Sequence, residues 1–257
     1  MVASASRRSL DRPPAARGGS LLTVSVVIPA KNEARNITWV LERIPAFVQE
    51  VILVDGLSKD QTDSIARLVR PDIRVIHEVR PGKGAALRAG FAAARGDIIV
   101  MLDADCSMDP REMSALVDLI RDGHDFVKGS RFLPGGGTDD MTLLRRVGNA
   151  GLMTLVNLLF GARFTDLCYG YCAFRRELLE RVVLDADGFE IEMQLIARMY
   201  LSGVEVIEAP SFEARRNYGQ SNLRTFRDGW QILMSMLAER RNARSVVAPN
   251  PQQSTPQ

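Results

Sequence analysis

The chain is predicted to form an α/β fold: a mostly parallel sheet flanked by helices, with a helix-rich C-terminal part. Three observations carry this. Short Val- and Ile-rich runs alternate with stretches of helical spacing through the first half of the sequence, the pattern of βαβ units with right-handed crossovers. The polar residues with chemical potential cluster where those runs end, which is where open α/β sheets bind ligands. With 257 residues, 46% hydrophobic and 25% charged, the chain suffices for one sizeable core.

Taken in order, Val24 to Ile28 reads as a strand stopped by Pro29, and Asn36 to Arg43 as a helix ending near Pro45. Val51 to Val54 gives a second strand ending at Asp55-Gly56, then Thr62 to Val69 a helix. Ile73 to His77 is the third strand and Gly84 to Ala94 an alanine-rich helix. Asp97 to Leu102 is the fourth strand, and a helix from Pro110 to Arg121 precedes a strand near Phe126-Val127. The rest is helix-rich, with Leu143 to Leu159, Glu177 to Val182, Phe189 to Ser202 and Leu223 to Arg241, plus a strand at Val204 to Ile207. No internal repeat is evident.

Asp103-Ala104-Asp105 follows the fourth apolar run. Residues at i and i+2 of an extended segment point the same way, so both carboxylates can converge on one divalent cation while Ala104 leaves room for a sugar. A solvated acidic turn is the plainer reading of the tripeptide alone. Its setting decides against that, because Pro29 to Glu33, Asp55-Gly56 and His77 to Lys83 fall at the other strand ends on the same edge.

The net charge of +2 argues against a nucleic-acid binder driven by bulk charge. The three cysteines, Cys106, Cys168 and Cys172, lack zinc-site spacing and suit reduced thiols in the cytoplasm. Residues 1–22 and 242–257 are expected to be disordered tails around one domain at 23–241. The most apolar stretch, Met141 to Phe160, is broken by Arg145, Arg146, Asn149 and Asn157. Each Arg near a span centre costs about 2.5–3.5 kcal/mol, so an amphipathic helix is expected instead of a membrane span.

Five motifs in order resemble the family 2 glycosyltransferases of the Rossmann-like GT-A fold, especially the branch of dolichyl- and polyprenyl-phosphate mannose or glucose synthases. They are Val27-Ile28-Pro29-Ala30-Lys31-Asn32-Glu33, Val54 to Thr62, Arg80-Pro81-Gly82-Lys83-Gly84, Asp103-Ala104-Asp105 and Gly129-Ser130-Arg131-Phe132. The resemblance implies that Pro29, Ala30 and Glu33 line the pocket for base and ribose, and that Asp55 accepts a hydrogen bond from the base. A carboxylate suits that task because uracil and guanine both offer ring N–H groups. Lys83, in a glycine-flanked turn opening a helix, is implied in binding the donor phosphates together with backbone N–H groups.

The resemblance further makes Arg131 a contact for an acceptor phosphate, although an ion pair with Asp166 is the ordinary alternative. Asp166, in a stretch similar to the family's Asp-Leu-x-x-Gly-Phe-Arg, is an acceptor-site candidate, as are Glu190 and Glu192 at a helix start. Two departures stand out. Gly56 replaces a frequent second Asp, and Asn222 replaces the lysine of a late Gly-x-Ser-Lys-Leu motif. Arg215, Arg216 and Arg224 are possible substitutes for that lysine.

The expected activity is an inverting transfer of a hexose from a UDP- or GDP-linked sugar, with Mg²⁺ or Mn²⁺ held by Asp103 and Asp105. A phosphomonoester has its second pKa near about 6 and needs no base, and no paired-acid base motif stands out, which favours a polyprenyl phosphate acceptor. Peripheral contact at the inner face of the plasma membrane follows for the helices at 143–159 and 223–237, with packing or a homo-oligomer as the alternative. Competing readings are transfer to a hydroxyl of a soluble acceptor or cell-envelope glycan with Asp166 or Glu190 as base, a nucleotidyltransferase, and a non-catalytic nucleotide-binding module.

Overall fold

The computed structural model describes residues 22–167, 169–219 and 234–241. The expected tails (residue 22 apart), Cys168, Asn222, Arg224 and most of the last expected helix lie outside them. Residues 234–241 of that helix are helical.

Strand β1 (Val24–Ala30) is followed by α1 (Ile37–Glu42), β2 (Glu50–Asp55), α2 (Thr62–Val69), β3 (Arg74–His77), α3 (Lys83–Ala93) and β4 (Ile98–Met101). A single 3-10 turn at Pro110–Glu112 leads into α4 (Met113–Arg121) and β5 (Phe126–Ser130). After them come β6 (Gly137–Thr138), α5 (Leu143–Phe160), β7 (Cys172–Arg175), α6 (Ile191–Leu201), β8 (Val206–Pro210) and β9 (Phe212–Glu213). The segment expected as a helix near Glu177 is a 3-10 turn at Arg176–Arg181.

The main sheet has the order β3-β2-β1-β4-β7-β5-β8. All its pairings are parallel except those of β7, which runs antiparallel between β4 and β5. Alternate residues along the strands feed two cores. Val26, Ile28, Leu53 and Val100 pack with α1, α2 and α4 on one face, whereas Val27, Ile52, Val54 and Ile99 pack with α3 and α6 on the other. Burial on both faces explains why the strands read as unbroken apolar runs.

Pro29 does not stop β1, which continues to Ala30. Val27 accepts from Leu102 on the β4 side, so Pro29, two residues on, faces the same side. Pairing with β4 has ended there at Val27↔Met101, and the missing proline N–H leaves no ladder bond unmet.

Helix α5 is packed differently. Leu143, Val147 and Leu158 are exposed, and Val156 is its buried apolar anchor. Among the described residues no helix is long and apolar enough to cross a membrane.

Candidate active site

Parallel register brings the strand ends to one edge. Ala30 lies opposite Asp55, and Asp55 opposite His77, while β4 ends beside them at Met101. Because β7 is antiparallel, its first residue, Cys172, also lies opposite Met101, and the preceding segment with Asp166 arrives at the same edge. Three turns there use left-handed backbone at non-glycine residues, Asn32, Leu57 and Cys106, an arrangement that concentrates at functional sites. The Cys106 thiol donates to the Asn36 carbonyl at 3.5 Å. Burial, with Asp105 and Glu33 adding, pushes it up to about 12, so it is an inert structural thiol.

Asp103 and Asp105 leave the end of β4 together, and each meets a cation from a distant part of the chain. Lys83 Nζ lies 2.5 Å from Asp103 Oδ1 and 2.5 Å from Glu192 Oε1. Arg216 lies 2.9 Å from Asp105 Oδ2, and the other oxygen of Asp105 accepts from the Ser107 amide at 3.0 Å. Burial pushes Asp103 up to about 6, with Asp105 and Glu192 adding to the rise and Lys83 opposing it. Lys83 is shifted the other way from a buried lysine, because its two carboxylates outweigh desolvation and keep it charged. Glu33 belongs to the same field. Burial raises its pKa, Asp105 and Asp103 add to the rise, and Asn36 and Arg216 oppose it.

The turn before α3 differs from the expected phosphate cradle. The Gly84 and Ala85 amides donate to the Asp187 carbonyl, at 2.8 and 3.3 Å. Gly82 has a φ of 114°, and a Cβ at Gly82 or Gly84 would strike the backbone of Asp187 or Ala186. The glycines thus admit the 186–188 backbone, and the Lys83 ammonium, not the amides, points at the acidic pair.

On the side expected to take the base, Asp55 is buried at 5% side-chain exposure. It accepts from the Ser58 amide at 3.1 Å and faces His77 Nδ1 at 3.4 Å. Pro29 is half-buried and Ala30 buried. Beyond Glu33 opens a cavity of 360 Å³, lined by Lys31, Asn36, Asp60, Arg216 and Tyr218 among others. The Arg35 guanidinium lies 3.8 Å from the Tyr218 ring centroid.

On the other side, Arg131 Nε and Nη2 grip the two oxygens of Asp166 at 2.6 and 2.8 Å, and Nη1 donates to Glu213 at 2.9 Å. The Arg131 side chain is 5% exposed. Asp166 is held below the usual carboxylate range, Arg131 overcoming the opposing effect of burial. The ion pair read as Arg131's ordinary alternative therefore exists. Glu190 accepts from the amide of Gly188 at 3.1 Å, in the turn before α6, without capping the helix, whereas Glu192 reaches Lys83.

Sequence reasoning passed over Lys128, Glu208 and Glu213. The available signal was a lysine inside the otherwise uncharged β5.

The donor set suits a divalent cation. Two hard carboxylates share one strand end under mutual repulsion, and among the described residues no third His, Cys, Asp or Glu completes an all-protein cage. Mg²⁺ favours such partial sites, which substrate oxygens complete.

The solved structure of glucosyl-3-phosphoglycerate synthase from Mycobacterium tuberculosis, in complex with Mn²⁺, UDP and phosphoglyceric acid, matches with a TM-score of 0.69 at 26% identity. That match covers 90% of this chain and 80% of the other. Fold and site together define a glycosyltransferase of the GT-A type. The model of glycosyl transferase family 2 matches residues 25–183, and the chain belongs to that family.

Polyprenol monophosphomannose synthase from Mycolicibacterium smegmatis is 34% identical over 211 residues, 77% of this chain and 80% of that protein. Dolichol-phosphate mannosyltransferase from Pyrococcus furiosus is 30% identical over 213 residues, 79% of this chain and 60% of that protein. Other relatives are longer, the chain spanning 35% and 53% of two glycosyltransferases from Haloferax volcanii.

Proposed function

We propose that this enzyme transfers a hexose from a nucleotide sugar, with inversion, to a polyprenyl phosphate at a membrane surface. The observation that carries the donor half is the pair of half-buried Asp103 and buried Asp105, each facing a cation from elsewhere in the chain. Two carboxylates and two cations in one small volume suit a diphosphate with its counter-ion. Mg²⁺ or Mn²⁺, when held by Asp103 and Asp105, supplies positive charge for the leaving nucleotide. Lys83 and Arg216 turn from the carboxylates to the diphosphate oxygens, and Asp55 accepts the ring N–H of the base.

The acceptor half rests on the relatives' named acceptors and on ionisation. Asp166 is tied to Arg131 on both oxygens and held at low pKa, which disqualifies it as a base for a sugar hydroxyl. A phosphomonoester is already a nucleophile at neutral pH. Arg131 is then directed by Asp166 and meets the acceptor phosphate when that anion displaces Glu213. The exposed Leu143, Val147 and Leu158 of α5 suit contact with the lipid surface on its cytoplasmic side.

The test is transfer from radiolabelled UDP- and GDP-hexoses to undecaprenyl phosphate in vesicles, with free sugars and glycans as competing acceptors. Asp103→Asn and Asp105→Asn should each lower turnover by about 100-fold or more with the fold retained, the scale of losing one catalytic electrostatic partner. Activity retained in both variants refutes the metal assignment, and product only on hydroxyl acceptors refutes the lipid assignment.

A further inference from the structure

Lysine is almost never fully buried unless paired, and the side chain of Lys128 has 0% exposure on β5, the strand next to the β8 edge of the sheet. Its place follows from strand register. Parallel pairing of β5 with β8 sets Lys128 directly opposite Glu208, and the ammonium lies 3.5 Å from Glu208 Oε1. Both side chains then turn to one target, the segment Thr165-Asp166. Lys128 Nζ donates to the Asp166 carbonyl at 2.6 Å and to the Gly129 carbonyl at 2.9 Å. Glu208 accepts from the Asp166 amide at 3.1 Å, the Thr165 amide at 2.8 Å and the Thr165 hydroxyl at 2.9 Å.

The backbone of Asp166 is thus gripped at both its N–H and its C=O by a cross-strand ion pair, while its carboxylate holds Arg131 in a fork. Burying such a pair is weakly stabilising at best against an apolar replacement. What it provides is direction. Holding both the N–H and the C=O of Asp166 sets the direction from which its two carboxylate oxygens meet Arg131.

We propose that Lys128 and Glu208 are positioning residues for acceptor recognition: a buried brace that fixes Asp166 and, through it, the Arg131 guanidinium. This rests on the acceptor reading above, and it adds that the acceptor pocket is built from inside the sheet.

The test is the double variant Lys128→Met with Glu208→Gln, which keeps both volumes and removes both charges together. Thermal melting establishes that it folds; if it does not, Lys128→Met alone is used, which leaves Glu208 on its three donors from Thr165 and Asp166 and no buried ammonium without a carboxylate. The acceptor KM should rise about 10- to 100-fold, the usual effect of a small displacement at a reacting group, while Mn²⁺-dependent donor affinity stays within about two-fold. Amide exchange at Thr165 and Asp166 should accelerate at least about ten-fold, with the amides of β5 unchanged.

A folded variant with wild-type acceptor KM, or with equal losses on the donor and acceptor sides, overturns the brace. Should the wild-type enzyme fail with polyprenyl phosphate, the acceptor class is wrong, and the exchange data alone decide whether Lys128 and Glu208 hold Asp166.

Discussion

Arg216 shows how far single residues could be read. The sequence lacks the expected lysine at Asn222 and offers three arginines as substitutes; nothing in spacing separates them. Geometry does for two of the three. Arg215 Nε donates to the Asp139 carbonyl at 3.1 Å, away from the acidic pair, whereas Arg216 crosses to Asp105 with its Nε buried and, among the described residues, without a hydrogen-bond partner. We expect Arg216→Gln to lower kcat/KM for the donor by about 10- to 100-fold, the scale of one charge-assisted contact of roughly 1.5–3 kcal/mol. Arg215→Gln should change it less than about three-fold. Steady-state kinetics with donor varied checks this, and equal effects of the two substitutions contradict the assignment.

The chain positions of Asp55, Lys83, Asp103 and Asp105 were legible because each ends or follows an apolar run. Their partners were not, since Lys83 meets Glu192, which is 109 residues away, and no local pattern encodes such a contact.

At the level of elements, strands and helices of the first half were legible from period and turn residues, with ends shifting by one or two positions. Strand β7 was missed. Its four residues, Cys172–Arg175, are too short to show a period, and antiparallel insertion between β4 and β5 is a tertiary event. That omission matters because β7 is what delivers Asp166 to the ligand edge.

The opening of α3 was misread in a similar way. A glycine-flanked lysine at a helix start suggests an amide cradle, but the 186–188 backbone already fills it. Gly84→Ala tests this reading. The added Cβ meets the Ala186 carbonyl oxygen, and relief should cost about 1–3 kcal/mol, lowering Tm by roughly 2–12 °C for a protein of this size. Donor affinity should fall with it, because Lys83 sits between the two glycines. A thermal melt combined with donor titration reads both, and an unchanged melt shows that the contact is dispensable.

Across the whole molecule, the decisive arrangement is the shared register of β1, β2, β3 and β4, which assembles four separate turns into one edge. The fold class was therefore legible from the alternation of runs, and so was the location of the site. The acceptor end was less so, because it is made by β5, β7, β8 and β9, whose contacts cross the sheet. In the proposed reading, the exposed Leu143, Val147 and Leu158 of helix α5 are the surface that meets the lipid.

The central claim is that Asp103 and Asp105 join a nucleotide sugar to the protein through a divalent cation. Ligand-induced thermal stabilisation measures that linkage directly. At a donor concentration about 100 times Kd, stabilisation of roughly 2.7 kcal/mol should raise Tm by about 5–10 °C. The account predicts this rise for one of the UDP- or GDP-sugars with Mn²⁺ or Mg²⁺ present, and its loss both in EDTA and in Asp105→Asn. The same rise in EDTA, or in Asp105→Asn, would contradict it.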